Sequence, residues 1–293
     1  MANLKEVRTR IDSVNSTMQI TSAMKMVSAS KLRKTQSVIM ALRPYVSKMQ
    51  EIMQNLTSSL KESKVGAYSE KRAEAHILII PVTSNRGLCG AFNVNIIRAT
   101  QNLIETEFAA QHQNGTLKLF CIGKKGNEFF RAKKYDVVDS DFDIFDNLSL
   151  ETATSIAQKI MEQFESGKYD RVIFVYNQFK NASTQIITNE QFLPIETTNK
   201  KQTTDAAIDY IFEPDKTQIV SELVPKILKM QVYKILLDSF ASEHGARMIS
   251  MNKATDNAIE LLKELRLSYN KARQTAITNE IVEIVGGAGA LDD

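Results

Sequence analysis

Cysteine, histidine and long apolar runs are scarce in this sequence. Its 293 residues include two cysteines and three histidines. Neither Cys89 nor Cys121 lies in a CxxC or Cys/His spacing that would hold zinc, and two cysteines are too few for a disulfide scaffold, so both are interpreted as small buried hydrophobic residues. No apolar stretch approaches the roughly 20 residues that span a bilayer, and the N-terminus lacks the apolar centre and cleavage site of a signal peptide. These absences favour a reducing, cytosolic compartment.

Glycine and proline are nearly missing from the first fifth of the chain. Residues 4–60 contain one proline, Pro44, and no glycine. Their apolar side chains recur at alternating steps of three and four, which is the seam of a coiled-coil helix. The seam consists of Leu4, Val7, Ile11, Val14 and Met18 and, in the same heptad frame, Leu32, Ile39, Leu42, Val46, Met49, Met53, Leu56 and Leu60. The remaining seam positions of this frame are occupied by Thr21, Lys25, Ser28 and Thr35.

The window ITSAMKMVSASKLRK, residues 20–34, carries apolar residues outside the seam. Ile20, Met24 and Val27 are spaced i, i+4 and i+7, so they share another face of the helix. The pattern predicts that this helix presents an apolar face to something besides its seam partner.

Positive charge is concentrated at the same end of the chain. The whole sequence has a net charge of +3, but residues 1–48 hold nine basic residues against Glu6 and Asp12, a local net charge of +7. A solvated helix face is one interpretation of this segment. An acidic protein partner and nucleic acid are the two functional alternatives.

The last third of the sequence repeats the seam, and a second long helix is predicted over residues 216–285. Pro225 should kink this helix or mark its true start, because proline removes a backbone donor and clashes with the preceding turn. Lys234 and His244 also fall on seam positions, and His244 is predicted to be a partly exposed seam residue rather than a ligand. In the C-terminal half of this predicted helix the seam residues are Met248, Met251, Thr255, Ala258, Leu262, Leu265, Tyr269, Ala272 and Ala276.

Each of two such helices would need the other to cover its apolar seam. At roughly 60 to 70 residues each would extend about 90 to 100 Å, far longer than an ordinary globular helix. Because the complementary seams lie at opposite ends of one chain, we expect an intramolecular antiparallel coiled coil. The small residues Ala258, Ala272 and Ala276 would let the two backbones approach closely.

The middle of the chain alternates predicted strands with predicted helices. The strand segments are short, apolar and β-branched, and the last of them alternates polar and apolar residues as an edge strand does. They lie at residues 75–82, 117–123, 170–177 and 183–195, with helical segments at 93–110, 124–134 and 150–164. This succession predicts right-handed crossovers and a mainly parallel sheet. The polar stretch 196–207 is the expected connection to the second long helix.

The segment TSNRGLCGAFN, residues 83–93, lies between the first strand and a helix, where many α/β proteins bind a phosphate. A dinucleotide fingerprint needs GxGxxG and a P-loop needs GxxxxGK followed by Ser or Thr, whereas only Gly87 and Gly90 are present here. The segment is therefore interpreted as a tight turn that needs glycine dihedrals. Anion binding at the helix N-terminus, assisted by Arg86, is the alternative.

Catalytic and metal-binding motifs are missing elsewhere as well. The three histidines have no metal-spaced neighbours, and no serine lies in a GxSxG turn. The run DSDFDIFDN, residues 139–147, lacks the glycine and the terminal glutamate of a calcium loop and is interpreted as a solvated acidic loop. No catalytic residue, cofactor site or metal site is therefore predicted.

Four separated motifs resemble those of one known family. They are the window at 20–34, the segment at 83–93, DYIFEPD at 209–215, and ASEHGARMISMNKATDNA with YNKARQTAITNEIVEIVGGAGAL near the C-terminus. In this order, and framed by two coiled-coil arms, they closely resemble the γ subunit of F-type ATP synthases in a bacterial form. The resemblance covers both ends and the central part of the chain.

The resemblance implies an α/β fold with three parts. A long antiparallel coiled coil of the N- and C-terminal helices is joined to a central Rossmann-like α/β domain. On this chain the N-terminal helix would occupy residues 1–60, the Rossmann-like domain 75–195 and the C-terminal helix 210–286.

The resemblance also implies a rotor without catalytic activity of its own. In that family the terminal helices form an asymmetric shaft inside a ring of α and β subunits, and the Rossmann-like domain lies beside the ε subunit and the membrane c-ring. Proton flow turns the c-ring and the shaft, which forces the catalytic β subunits through different affinities. The implied location is peripheral, at the cytoplasmic face of the bacterial inner membrane, with no transmembrane segment, no cofactor and no nucleic-acid partner.

Individual contacts follow from the same resemblance. Met24 lies in the zone of contact with the catalytic subunits, where the basic first helix would meet acidic levers. Arg273 and Gln274 match the family's contact with a loop of the catalytic subunit. Tyr210 and Glu213 of DYIFEPD match its foot, near the c-ring and the ε subunit.

Two further positions bear on the resemblance. The segment IVEIVGGAGAL, residues 281–291, is expected to occupy the apolar bearing at the top of the ring, although Asp292 and Asp293 add charge beside it. Ser22 stands where relatives often carry a lysine, so one basic contact of the family is absent here.

Two other classes of function fit parts of the sequence. A nucleotide-binding α/β enzyme with helical arms would melt at a higher temperature with millimolar ATP or NAD. A nucleic-acid-binding coiled coil could use the basic first segment and would bind DNA in a salt-sensitive manner. That segment, however, offers only Tyr45 as an aromatic side chain for base stacking.

Overall fold

A computed structural model describes residues 4–56, 68–69, 72, 74–195 and 216–289. The elements are, in chain order, α1 (Leu4–Leu56), β1 (Ile77–Pro81), α2 (Phe92–Thr106), α3 (Ala109–Gln113), β2 (Leu117–Ile122), α4 (Lys124–Ala132), β3 (Val137–Asp141), α5 (Leu150–Glu165), β4 (Arg171–Phe179), β5 (Gln185–Leu193) and α6 (Lys216–Gly289). They belong to two compact units. The terminal unit contains residues 1–29 and 247–293, and the sheet unit contains residues 30–246.

The sheet unit is built on one five-stranded sheet with the order β3-β2-β1-β4-β5. β1 is parallel to β2 and β4, β2 is parallel to β3, and β5 runs antiparallel to β4 at the edge. All five residues of β1 are buried, as is usual for a strand covered on both faces. The prediction of a mainly parallel sheet with the last strand at its edge is confirmed.

Helices cover both faces of this sheet. On one face Ile96 of α2 and Phe130 of α4 share a core with Ile79. On the other face Ile160 of α5 and Leu236 of α6 belong to a second core. The long helix α6 is therefore part of the hydrophobic core of the sheet unit, and not an arm attached only through the chain.

The start of α5 has a local explanation. The Ser149 hydroxyl accepts a hydrogen bond from the Thr152 backbone N–H at 3.2 Å, and the Thr152 hydroxyl accepts one from the Ser149 backbone N–H at 3.1 Å. This reciprocal capping box satisfies two amides that a helix terminus leaves without partners. The helix accordingly begins at Leu150, where the sequence predicts it.

The strand β3 corrects one interpretation of the sequence. The acidic run 139–147 was expected to be a solvated loop, but β3 ends within it at Asp141. The Asp141 carboxylate then accepts hydrogen bonds from the backbone N–H groups of Asp143 and Ile144, which turns the chain after the strand. An edge strand with only half-buried and exposed residues carries little apolar signal, and this explains the wrong interpretation.

α6 begins at Lys216, where the second long helix is predicted, so of the two alternatives for Pro225 the start of the helix is ruled out. One detail of this helix differs from prediction. His244 is 6% exposed and not partly exposed as expected, because its ring packs edge-on against Phe240 with 4.4 Å between the ring centroids. Within the described ranges, no helix combines the length and the apolar content needed to cross a bilayer.

Candidate functional site

The two chain ends form an antiparallel helix pair in the terminal unit. The hydroxyl oxygens of Thr21 on α1 and Thr255 on α6 are 2.8 Å apart and share a hydrogen bond. One turn farther along α1, the Lys25 ammonium donates to the side-chain oxygen of Asn252 at 2.5 Å. Because the pairing advances along α1 as it retreats along α6, the helices run in opposite directions. The predicted antiparallel pairing is confirmed in this unit.

The predicted seam forms the interior of this pair. Val7, Met251 and Leu262 are buried at seam positions, as expected of a coiled coil. Thr21 and Ser28, which are polar, are buried there too, at 8% and 2% exposed. Thr21 is hydrogen-bonded across the pair, whereas the Ser28 hydroxyl donates to the Met24 carbonyl of its own helix. The sequence marks both seam positions as polar but gives no sign that they are buried.

A second apolar face of α1 is directed away from the seam. Ile20 is 60% exposed and Val27 is 58% exposed, while Met24 between them is half-buried. The prediction that the window at 20–34 presents apolar side chains outside the seam is confirmed for Ile20 and Val27. Met24 lies at the border between this face and the helix pair.

The basic charge of the first helix is displayed on its surface, with one exception. Arg8, Arg10, Arg33 and Lys34 are exposed. Lys25 is half-buried and is used inside the helix pair, where it donates to Asn252. Most of the positive charge near this end of the chain is thus available to an outside partner.

The C-terminal part of α6 continues past its pairing with α1. By the register of the threonine pair, Leu4, the first described residue of α1, lies level with Ala272, and both are half-buried. Every residue from 273 to 285 is exposed, and this includes Arg273 and Gln274. Ala276, predicted to be a seam residue, is exposed because the described pairing ends before it.

This extension is strongly apolar. Its large exposed side chains, with exposed fractions between 47% and 70%, are Ile277, Ile281, Val282, Ile284 and Val285. A soluble protein rarely leaves a contiguous apolar surface of this kind uncovered, so the extension is a candidate surface for another protein.

The residues assigned by resemblance do not form one cluster. Met24 lies at the level of Asn252, whereas Arg273 and Gln274 lie some 21 residues farther along α6, about 30 Å at 1.5 Å per residue. Tyr210 and Glu213 lie outside the described residues. Two separate contact surfaces on the terminal unit, and not a pocket, are therefore the candidate functional site.

Polar groups of the segment 83–93 bond within the segment and to the neighbouring turn after β2, where the Asn85 side-chain oxygen accepts from the Lys124 backbone N–H. The Asn93 side-chain oxygen accepts from the Ser84 backbone N–H at 2.9 Å, and the Ser84 hydroxyl donates to the Arg86 carbonyl at 2.7 Å. Gly90 has φ of 60°, as the interpretation of a glycine-dependent turn requires. Gly87 does not have a positive φ; Leu88 does, at 62°, and its side chain is 63% exposed.

Reactive groups of the kind found in catalytic sites are not assembled in the described part of the chain. Cys89 and Cys121 are both buried, which confirms the interpretation of both as core residues. Burial raises the pKa of the Cys121 thiol to about 12, so it remains protonated. No group of three or more His, Cys, Asp or Glu side chains among the described residues could hold a metal ion.

One buried carboxyl group lies where α6 meets the sheet unit's interior. Asp238 is 5% exposed, and burial raises its pKa to about 6 although Lys234 and Arg43 act against the shift. Nearby, Glu190 accepts hydrogen bonds from the Tyr176 hydroxyl at 2.5 Å and from the Gln231 amide at 2.8 Å. Sequence patterns could not indicate this network, because its members come from four separate elements, α1, β4, β5 and α6.

Comparison with known proteins gives the family. The family model described as ATP synthase matches residues 3–291. The ATP synthase gamma chain of Christiangramia forsetii is 52% identical over 292 residues, and that of Flavobacterium johnsoniae is 55% identical over 292 residues, with 100% of both chains covered in each case. The chain belongs to the ATP synthase γ subunit family.

Chains in solved structures of mitochondrial ATP synthases share the fold of this chain. A chain from the central stalk and c-ring of the Tetrahymena thermophila mitochondrial ATP synthase matches with a TM-score of 0.59 and 27% identity, covering 80% of this chain and 99% of that chain. A chain of the Euglena gracilis mitochondrial ATP synthase matches with a TM-score of 0.69 and 22% identity, covering 98% of this chain and 94% of that chain. The fold predicted by resemblance, terminal helices with a central α/β domain, is confirmed.

Proposed function

We propose that the chain is the rotor subunit in the central stalk of a bacterial F-type ATP synthase. In this role it couples proton-driven rotation of the c-ring to conformational change in the catalytic β subunits, and it carries out no ATP chemistry itself. Its partners are the α and β subunits, the ε subunit and the c-ring. It is peripheral to the cytoplasmic face of the inner membrane and is held there through the complex.

The exposed apolar extension of α6 carries this proposal. Residues 273–285 continue beyond the helix pair with five large aliphatic side chains exposed, and exposed apolar surface of this kind marks a site of contact with another protein. A ring of α and β subunits would enclose a single helix of this kind on all sides. An enzyme that acts alone would not need an exposed apolar helix of this kind.

The surface of α1 supports contact with acidic partners. The exposed Arg8, Arg10, Arg33 and Lys34 provide long-range attraction without fixing one orientation, since charges in water act over about 8 to 10 Å. A rotor needs contacts of this type because it must meet each β subunit in turn. We propose Met24 as a contact on this surface, beside the exposed Ile20 and Val27.

Two further sets of contacts complete the proposal. Arg273 and Gln274, both exposed at the beginning of the extension, would contact a loop of the catalytic subunit. Tyr210 and Glu213 would contact the c-ring and the ε subunit at the foot. These assignments rest on the family resemblance of KARQTAITNE and DYIFEPD.

Reconstitution tests the proposed function. Purified chain is mixed with α and β subunits, and ATP hydrolysis is compared with that of α and β alone and of the chain alone. We expect a stable complex with enhanced hydrolysis and no hydrolysis by the chain alone. If the chain fails to join the complex, or joins it without changing hydrolysis, the rotor proposal is wrong.

A further inference from the structure

A small cavity lies under α5, between this helix and the edge strand β3. Its volume is about 60 Å³. Phe120 forms part of its apolar wall, and its polar lining consists of Asp139, Lys159, Gln163, Lys168 and Tyr169. The cavity belongs to the sheet unit.

The hydroxyl group of Tyr169 is the unusual feature of this cavity. Tyr169 is 2% exposed, and its hydroxyl oxygen is buried without a hydrogen-bond partner among the described residues. Buried hydroxyl groups are almost always hydrogen-bonded, because losing water without gaining a partner destabilises the fold. A cavity beside such a hydroxyl therefore requires an occupant that can bond to it.

The electrostatic surroundings bear on which occupant suits the hydroxyl. Burial raises the pKa of Tyr169, and the negative charges of Asp136 and Asp139 raise it further, so the hydroxyl keeps its proton. The aspartates disfavour an anion in the cavity, whereas Lys159 and Lys168 in its lining favour one. Each aspartate is itself paired with a lysine, Asp136 with Lys118 and Asp139 with Lys159, so a metal cation finds no free carboxylate.

The volume and the lining fit a neutral occupant of very small size. At about 30 Å³ per molecule in the liquid, 60 Å³ corresponds to roughly two water molecules. Asp139 supplies acceptor oxygens, Lys159 and Lys168 supply donors, and the Gln163 amide supplies both. A bound water normally makes two to four hydrogen bonds, and this lining can provide them.

We infer that this cavity is an internal water site, in which about two water molecules accept the Tyr169 hydroxyl proton in a hydrogen bond and pass hydrogen bonds on to Asp139 and Gln163. Asp139 belongs to β3 and Gln163 to α5. The water therefore links this helix to the edge strand, which has few buried side chains of its own. This inference is independent of the rotor function and can be tested on the full chain alone.

The variant Tyr169→Phe should change the rate of amide hydrogen exchange in α5 in opposite directions for a hydrated cavity and for a dry one. If water bridges the hydroxyl, removing the hydroxyl loosens α5, and we expect amide hydrogen exchange at Ile160 and Phe164 to accelerate about fivefold. If the cavity is dry, the variant removes an unsatisfied polar group, and exchange stays the same or slows. The latter result overturns the inference. Tyr45→Phe, at a half-exposed tyrosine of α1, is the matched control and should leave α5 unchanged.

Two further measurements are made on the wild-type chain, and the second uses the variant as its reference. A crystal structure of the full wild-type chain that resolves ordered water should show density within hydrogen-bonding distance of the Tyr169 hydroxyl, and an empty cavity overturns the inference. Titration with sodium chloride or sodium phosphate distinguishes water from an anion. If water occupies the cavity, either salt should change the rate of amide exchange at Ile160 equally in the wild type and in the Tyr169→Phe variant. A saturable slowing of this exchange in the wild type alone would assign the site to an anion instead.

Discussion

The carbonyl oxygen of Thr83 lies against the α-carbon of Gly123, so close that a side chain on Gly123 would begin far inside van der Waals contact with it. The Thr83 hydroxyl also accepts a hydrogen bond from the Gly126 backbone N–H at 2.9 Å. The segment after β1 therefore packs against the turn between β2 and α4 and is hydrogen-bonded to the start of α4. This packing occupies the carboxyl ends of the strands, where a nucleotide phosphate would have to lie in a doubly wound α/β protein.

Replacing Gly123 should be severely destabilising. Gly123 has φ of 93°, which an alanine rarely adopts, and the new methyl group would collide with the Thr83 backbone. We expect Gly123→Ala to lower the free energy of unfolding by about 3 kcal/mol or more. Urea unfolding followed by circular dichroism measures the loss. Gly115→Ala is the control, because Gly115 has φ of 71° with no atom within 4 Å of its added methyl group. It should lose only about 1 kcal/mol, from backbone strain; equal losses would show that the contact with Thr83 is unimportant.

The threonine pair in the terminal unit should behave as an energetically coupled pair. Thr21 and Thr255 share a hydrogen bond of 2.8 Å in a buried seam. Changing either to valine leaves the other hydroxyl facing a methyl group, with a carbonyl of its own helix as its remaining partner, whereas changing both removes the polar pair with its shape preserved. We expect each single variant to lose about 1 kcal/mol and the double variant to lose less than the sum, with a coupling energy of about 0.5 to 1.5 kcal/mol in urea unfolding. The exposed Thr9 and Thr278 form the control cycle, which should be additive; an additive Thr21/Thr255 cycle would contradict the coupling.

Asp238 should make stability depend on pH in an unusual direction. Its pKa is raised from the ordinary 3.8 to about 6, so the folded state binds this proton more tightly than the unfolded state does. The stabilisation from the bound proton is complete below about 4 and is lost as the pH rises through 6. We expect Asp238→Asn to raise the free energy of unfolding by on the order of 2 kcal/mol at pH 7.5 and to have little effect near pH 4. Urea unfolding at both values tests this.

The control for Asp238 is Asp146→Asn at an exposed aspartate of the same unit. A surface change of this kind should alter the free energy of unfolding by less than about 0.5 kcal/mol. If Asp238→Asn destabilises the protein at pH 7.5, the attraction of the carboxylate to Lys234 and Arg43 outweighs its burial, and the predicted direction is wrong.

Met24 should tolerate an apolar substitution and not a charged one. Met24→Lys places a cation at the border of the apolar face formed with Ile20 and Val27, where a partner's side chains would have to accommodate it. We expect a reconstituted membrane complex to keep most of its ATP hydrolysis and to lose about half or more of its ATP-driven proton pumping. Met24→Leu should preserve both. Met26→Lys, the same change at a 65% exposed position two residues along, is the second control; loss of pumping in that variant too would mean that added charge, and not contact at Met24, disturbs coupling.

The sequence predicts the helices and the sheet because their patterns are long or strongly apolar. The seam runs through α1 and α6 for many turns, and β1 and β4 are almost completely buried. β3 was missed because an edge strand needs no continuous apolar run, and its Val138 is 43% exposed. The turn at 83–93 could be recognised as unlike a phosphate loop, but the assignment of the positive φ to Leu88 required the backbone itself.

Contact surfaces are harder to derive than folds. The off-seam face at Ile20 and Val27 follows from spacing within one helix, so the sequence predicts it. The extension of α6 beyond the pair depends on the axial register of two helices that are far apart in the chain, and the Thr21–Thr255 and Lys25–Asn252 contacts establish that register. The family resemblance marks Arg273 as a contact, but its position at the beginning of an unpaired extension follows only from this register.

Arg273 should matter to the complex and hardly at all to the chain. It is exposed at the beginning of the extension, so Arg273→Ala should change the free energy of unfolding by less than about 0.5 kcal/mol. If Arg273 donates a charge-assisted hydrogen bond to a catalytic subunit, losing about 1.5 kcal/mol from that contact should reduce ATP hydrolysis by the reconstituted complex about tenfold. Arg266→Ala is the matched control, because Arg266 is exposed one heptad earlier on the same face of α6. Equal effects of the two variants on hydrolysis would show that general positive charge, and not a specific contact at Arg273, is what the complex requires.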